Sequence, residues 1–124
     1  MRTENVQYFT EKEEAFVNLL IETGTRKNVA KLLVFLANRP EATSRSIERG
    51  TDLRQPEVSI AMKYLADQGW IKEREKSSEN KGRPMKIYEL AVPMTKIMGC
   101  IEEEKKKEAK NQLALVGKLR EYIR

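Results

Sequence analysis

Arg54, Gln55, Glu57, Ser59, Ile60 and Lys63 set a guanidinium, an amide, a carboxylate, a hydroxyl, an aliphatic branch and an ammonium within ten residues. These groups suit recognition by hydrogen bonding and contact, not bond making. An Arg fork matches guanine O6 and N7, a Gln amide matches adenine, a Ser hydroxyl serves a base or a phosphate, and an Ile packs on a thymine methyl. Lys63, further along, suits a phosphate. Two of these residues also have plain structural roles. Glu57 is favoured by a helix dipole whether or not it accepts from a cytosine amino group, and Ile60 can be an isolated exposed apolar residue. A second cationic group, Lys81, Arg83 and Lys86 around Gly82 and Pro84, is suited to lying along a phosphate backbone or to inserting an Arg into a narrow minor groove.

Other chemistries are excluded by composition. With no His and one Cys in 124 residues, the chain lacks imidazole or thiolate ligand sets for zinc, copper or iron and the usual base of nucleophilic catalysis. No phosphate-cradling G-x-x-x-x-G-K-[ST] or G-x-G-x-x-G stretch occurs. The expectation is a protein that is not an enzyme and needs no cofactor or metal. The longest apolar run, residues 32–37, is far short of the ~20 residues that span a bilayer, and the first residues lack a signal-peptide layout. A lone Cys accords with a reducing compartment. A soluble, cytoplasmic protein with no membrane partner is expected.

The elements that must position the reactive groups follow from caps and periodicity. Thr10 and Glu13 form a T-x-x-E capping box, predicting a helix over about 11–23. Its Phe16, Leu19 and Leu20 make one apolar stripe, and Val17 and Ile21 a second, more than a simple surface helix requires. Thr25 is a plausible cap for a helix ending near Asn38, with Val29, Leu32, Leu33 and Leu36 at buried spacing. Thr43 or Ser44 can cap a short helix to about Arg49, with Ile47 inward and Gly50 as terminator. A turn then leads to a helix over 56–68, with Pro56 in its first turn, Val58, Ala61, Met62 and Leu65 inward, and Gly69 ending it. Residues 70–75 and 85–90 have strand character and flank a loop rich in Ser, Asn, Gly and Pro. A single long helix is predicted from about Pro93 to the end, with Cys100 as a small buried residue.

Charge is unevenly spread. The net of +5 combines an acidic first 25 residues, with five carboxylates against two cations, and later segments in which cations prevail. So small a net charge does not by itself ensure polyanion binding, and position must decide.

The short helix, Gly-containing turn and second helix match helix-turn-helix spacing, in which the second helix enters a major groove. Ser44 and Arg45, at the start of the first of these helices, join the candidate contacts. LRQPEVSIAMKYLADQGWIKERE followed by KGRPMKIYEL resembles the winged helix-turn-helix domain of the MarR-like, ArsR-like and TrmB-like transcriptional regulators of archaea and bacteria. The likeness rests on Val58, Met62, Leu65, Gly69, Trp70 and Ile71, and on Gly82-Arg83-Pro84 ahead of Tyr88. It covers about 65 of the 124 residues when the predicted helix over 26–38 is included. ArsR-type metal sensors use His and Cys ligands that this chain lacks. TrmB-like regulators usually append a sugar-binding domain, for which 34 residues after Leu90 are too few.

The resemblance implies a mainly α fold with a small β-hairpin wing, a DNA-binding domain over 1–92 and a dimerisation helix over 93–124. Dimerisation also follows from length, since a helix of about 30 residues is ~45 Å long and cannot bury its faces on so small a core. Phe16, Leu20, Ile97, Ile101, Leu113, Val116, Leu119 and Ile123 are the expected dimer contacts. The expected function is a transcriptional regulator binding double-stranded DNA as a homodimer on a pseudo-palindromic site. A winged-helix protein-interaction module is the second reading. Nothing in the sequence argues for or against a small-molecule effector.

Overall fold

Helices begin where the sequence supplies caps. The computed structural model describes residues 9–76 and 84–123. Thr10 accepts from the Glu13 backbone N–H at 3.1 Å while the Glu13 carboxylate accepts from the Thr10 N–H at 2.9 Å, and α1 (Glu11–Glu22) follows. The next is α2 (Lys27–Ala37), which starts at Arg26 without a side-chain cap; the expected Thr25 cap is not used, and its hydroxyl lies 3.4 Å from that of Thr23 instead. Thr43 forms a reciprocal box with Ser46 at the head of α3 (Ser44–Thr51).

The expected terminator Gly50 lies inside α3, and Asp52, at φ 59°, makes the left-handed turn. Packing explains the glycine: a Cβ on Gly50 would sit 2.0 Å from Cε1 of the Phe35 ring. Thr51 also stays helical, its hydroxyl donating to the Ile47 carbonyl at 2.6 Å. A three-residue turn leads to α4 (Gln55–Asp67). Gly69, at φ 80°, ends it as expected.

The two strands are β1 (Ile71–Lys76) and β2 (Met85–Leu90), antiparallel, with Ile71 opposite Leu90 and Lys76 opposite Met85. Trp70 was expected in the first strand. It lies just before it, buried and edge-on to Tyr64 at 6.4 Å. A third segment joins the wing: Ala42 and Tyr88 exchange backbone hydrogen bonds of 3.0 and 2.8 Å. That bridge anchors the start of α3 to β2.

The core of this unit centres on α2. Its expected stripe Val29, Leu32, Leu33 and Leu36 is buried, and so are Ala30, Val34 and Phe35. The helix is covered on nearly every side because α1, α3, α4 and β2 all pack around it. Ile47, Leu53, Val58, Ala61, Leu65, Ile71 and Ile87 complete the interior. Fully burying one such aliphatic side chain contributes about 1.5–3 kcal/mol. Met62, expected inside, is only half-buried.

In α1 the inward face is Glu13, Val17 and Leu20, while Leu19 is exposed. Long-range bonds of Glu13 decide this rotation. The second oxygen of the Glu13 carboxylate accepts from Asn38 Nδ2 at 2.5 Å and from Arg39 Nη1 at 3.4 Å, which turns Glu13, and with it residues one and two turns later, toward α2. Leu20 is thus spent in the protomer interior, contrary to its expected place in a dimer contact; Phe16 is half-buried. Burial alone would raise the Glu13 carboxyl, but the Thr10 N–H, Asn38 and Arg39 together hold it below the ordinary carboxylate value.

The chain divides after Val92 into a second unit, which is α5 (Met94–Glu121), one unbroken helix of 28 residues. Gly99 and Gly117 lie within it, and a Cβ at either would meet open space. Ile97 is buried and Ile101 half-buried. Cys100, expected to be buried, is exposed. No helix among the described residues is long and apolar enough to cross a membrane.

Candidate nucleic-acid interface

The buried face of α4, through Val58, Ala61 and Leu65, determines which side chains it turns outward. Arg54, Gln55, Glu57, Ser59, Ile60 and Lys63 are all exposed, Ile60 at 66%. Arg54 occupies the N-cap position, and its backbone N–H donates to the Glu57 carboxylate at 2.9 Å. Glu57 therefore serves the helix start, the role its first-turn position suggested. Gln55 Nε2 donates to the Ser59 hydroxyl at 3.3 Å, so these two side chains are already ordered relative to one another. Lys63 meets Asp67 at 3.4 Å across one turn, an exposed pair worth little in isolation and readily exchanged for another anion.

A groove of about 290 Å³ lies between this helix and the wing, and it brings together four of the expected residues, Ser44, Gln55, Ser59 and Lys63. Ser44 is half-buried, its hydroxyl 3.4 Å from Glu48. The groove also takes in Lys72, Glu73 and Tyr88, which sequence reasoning did not single out. For Glu73 and Tyr88 the signal is the strand register: they face one another across the hairpin, so both fall on the same side of the sheet. Arg45, Arg54, Glu57, Ile60 and Lys86 lie outside this groove; Arg45 is exposed on α3, and Lys86 meets Glu73 at 3.7 Å. Lys81 and Arg83 lie outside the described residues.

Tyr64 was also missed. It is 38% exposed, one turn beyond Ile60, and its ring is fixed edge-on by Trp70. Together Ile60 and Tyr64 give the outer surface of α4 an apolar component.

Cations on the wing strand are engaged within the protein. Arg74 binds Glu41 and, at 3.1 Å, Glu89; Lys76 meets Glu41 at 3.3 Å, and Lys72 meets Glu89 at 3.8 Å. Hydrogen bonds from Arg74 and then Lys76 pull the Glu41 carboxyl below its ordinary value, and those from Glu89 and Glu41 raise the Arg74 guanidinium. Beside the Ala42 bridge, this network ties the wing to the segment leading into α3. It was not evident from the sequence, because Glu41 and Arg74 are 33 residues apart.

Three helices in helix-turn-helix order, followed by a two-stranded wing bridged back to the first turn, define a winged helix-turn-helix domain. The sequence matches no family model and no curated protein. Solved structures do share the fold. One is a possible transcriptional regulator from Methanosarcina mazei, at TM-score 0.60 and 14% identity, with 83% of each chain covered. Another is TrmBL2, an archaeal chromatin protein whose structure is described as showing a novel mode of DNA binding, at TM-score 0.63 and 16% identity; the match covers 90% of this chain and 40% of TrmBL2. A MarR family regulator from Neisseria meningitidis, NMB1585, aligns at TM-score 0.50 and 20% identity over 87% of this chain and 84% of its own. The fold is thus that of the MarR-like and TrmB-like regulators.

Proposed function

We propose that the chain is a transcriptional regulator of the cytoplasm that binds double-stranded DNA in a sequence-specific way, as a homodimer on a pseudo-palindromic site. One observation carries this reading: α4 turns Arg54, Gln55, Ser59, Ile60 and Lys63 outward from a buried base, on an element of the size a major groove admits. Arg54 reads guanine, Gln55 and Ser59 act as an ordered pair on a neighbouring base or phosphate, and Ile60 meets a thymine methyl. Ser44, Arg45 and Lys63 bind phosphates, and Lys81, Arg83 and Lys86 of the wing follow the backbone or enter the minor groove. Its structural neighbours being regulators supports the same reading, and the domain performs no catalysis.

The exposed apolar residues of α5 and of the turn that follows it support a dimer: Leu113, Leu115, Val116, Leu119, Tyr122 and Ile123 are between 43% and 87% exposed. Two winged domains related by a two-fold axis address half-sites ~10 base pairs apart or a multiple of that. Selection of bound duplexes from random DNA at two salt concentrations tests the proposal. A two-fold symmetric motif whose binding falls steeply with salt is expected; no enriched motif would overturn it.

A second reading, a winged helix that docks on another protein, is favoured by Ile60 and Tyr64 on the outer face of α4 and by the internally paired cations of β1. A stoichiometric protein partner together with no DNA binding at low salt would establish it.

A further inference from the structure

Part of the apolar sequence of α5 follows a finer pattern than an oily stripe: half-buried Met94, Met98 and Ile101 and exposed Leu115 and Leu119 fall on it, while exposed Leu113 and Val116 do not. Steps of four and three residues, the repeat of a two-helix seam, run through Met94, Met98 and Ile101 in its first half. The same alternation continues to Leu115 and Leu119 in its second, and to Tyr122 at its C-cap. Leu113 falls off this seam, as does Ile97, and Cys100 faces away from it. Between the apolar ends, the same positions are taken by Lys105, Glu108 and Gln112. Lys105 and Glu108 pair at 3.0 Å within the one helix, so a cation and a carboxylate stand side by side on the seam itself.

We infer that α5 pairs with α5 of a second copy in antiparallel orientation, with the two-fold axis between Lys105 and Glu108. This rests on the homodimer proposed above and specifies its interface. In that register Lys105 of each copy meets Glu108 of the other, twice over. Met98 then faces Leu115 and Met94 faces Leu119, giving two apolar layers on each side of the axis, while Ile101 falls opposite Gln112. Parallel pairing in register sets Lys105 on Lys105 and Glu108 on Glu108, and like charges at a seam oppose association. Charge complementarity therefore selects the antiparallel arrangement, and the polar centre holds its register, the best-attested use of polar residues at such positions. The apolar side chains supply affinity: Leu119 and Tyr122, at 65% and 87% exposed, have much area left to bury.

Sedimentation of the full chain and spin-label distances test this together. Lys105→Glu and Glu108→Lys should each weaken the dimer by ~tenfold or more, because each sets like charges opposite one another at both central layers. The combined Lys105→Glu, Glu108→Lys chain should associate about as tightly as the parent. In a Cys100→Ser background, a label at Lys118→Cys should report a separation of ~35 Å or more, since the two positions lie some 23 residues apart along the paired helices at 1.5 Å per residue. A dimer with labels under ~20 Å apart would overturn the antiparallel arrangement while leaving the homodimer in place. Single charge reversals without effect would overturn the role of the polar centre. A chain that stays monomeric throughout would overturn the homodimer, and this proposal with it.

Discussion

Helices α4 and α5 both display apolar side chains to solvent, yet they are built on opposite terms. In α4 one face is sunk into the core through Val58, Ala61 and Leu65, and Ile60 and Tyr64 stand among polar neighbours on the other. From residue 106 to its end at Glu121, α5 is exposed at every position. A helix of the first kind is held by its domain and can present a defined set of groups to a ligand. A helix of the second kind draws little tertiary support along that stretch, and its apolar spacing matters only to whatever covers it. Exposure alone therefore does not distinguish a reading surface from an assembly surface; what is buried on the opposite face does.

The contrast can be broken most forcefully in the core. Leu32→Ala should destabilise the domain by about 2–5 kcal/mol, measured by denaturant unfolding, because α2 is enclosed and a cavity there cannot collapse easily. An unfolding free energy changed by less than 1 kcal/mol would contradict the central position of that helix.

Arg54→Ala should cost about 1–3 kcal/mol of binding to the selected duplex and relax the preference at one base pair. Its melting temperature should hold, since the Glu57 cap uses the Arg54 backbone N–H and not its side chain. Uniform weakening across all sequences would recast Arg54 as a phosphate contact.

Glu13→Gln should lose about 1 kcal/mol of stability at neutral pH. The folded-state pKa of Glu13 is lowered, so the unfolded chain takes up the proton first. The stabilisation is present above the ordinary carboxylate value and disappears as pH falls through the lowered folded value. The parent and variant stability curves should therefore converge in acid; curves that stay parallel from neutral pH to below pH 4 would rule the carboxylate out as the cause.

Smallest of all, Leu119→Ala should leave the unfolding free energy of dilute, monomeric chain within about 0.5 kcal/mol of the parent, as for surface positions generally. A larger loss measured in the monomer would mean that α5 shares the fortunes of the domain, and the contrast between the two helices would fall.

Much of the domain could be read in advance because the signals were local. The Thr10 and Thr43 caps, Gly69, the inward face of α4 through Val58 and Leu65, and the strand at 85–90 all depend on neighbours within a few residues. The misplacements share one cause. Gly50 looked like a helix end because glycine usually is one there, but the ring of Phe35, distant in sequence, occupies the space a side chain would need. Leu20 looked available for a partner because apolar periodicity cannot say which of two adjacent stripes turns inward.

By itself, the sequence determined the order of the helices and wing, the absence of imidazole or clustered thiol chemistry, and the set of polar groups on α4. Each follows from residue type and spacing along a single element. Only the tertiary structure decided the rotation of α1 through the bonds of Glu13 to Asn38 and Arg39. It also decided the tie from Glu41 to Arg74 and the groove that sets Tyr88 and Glu73 beside Gln55 and Ser59. Those features join residues far apart in the chain, and pairing at that range is set by the packing of whole elements rather than by any local preference.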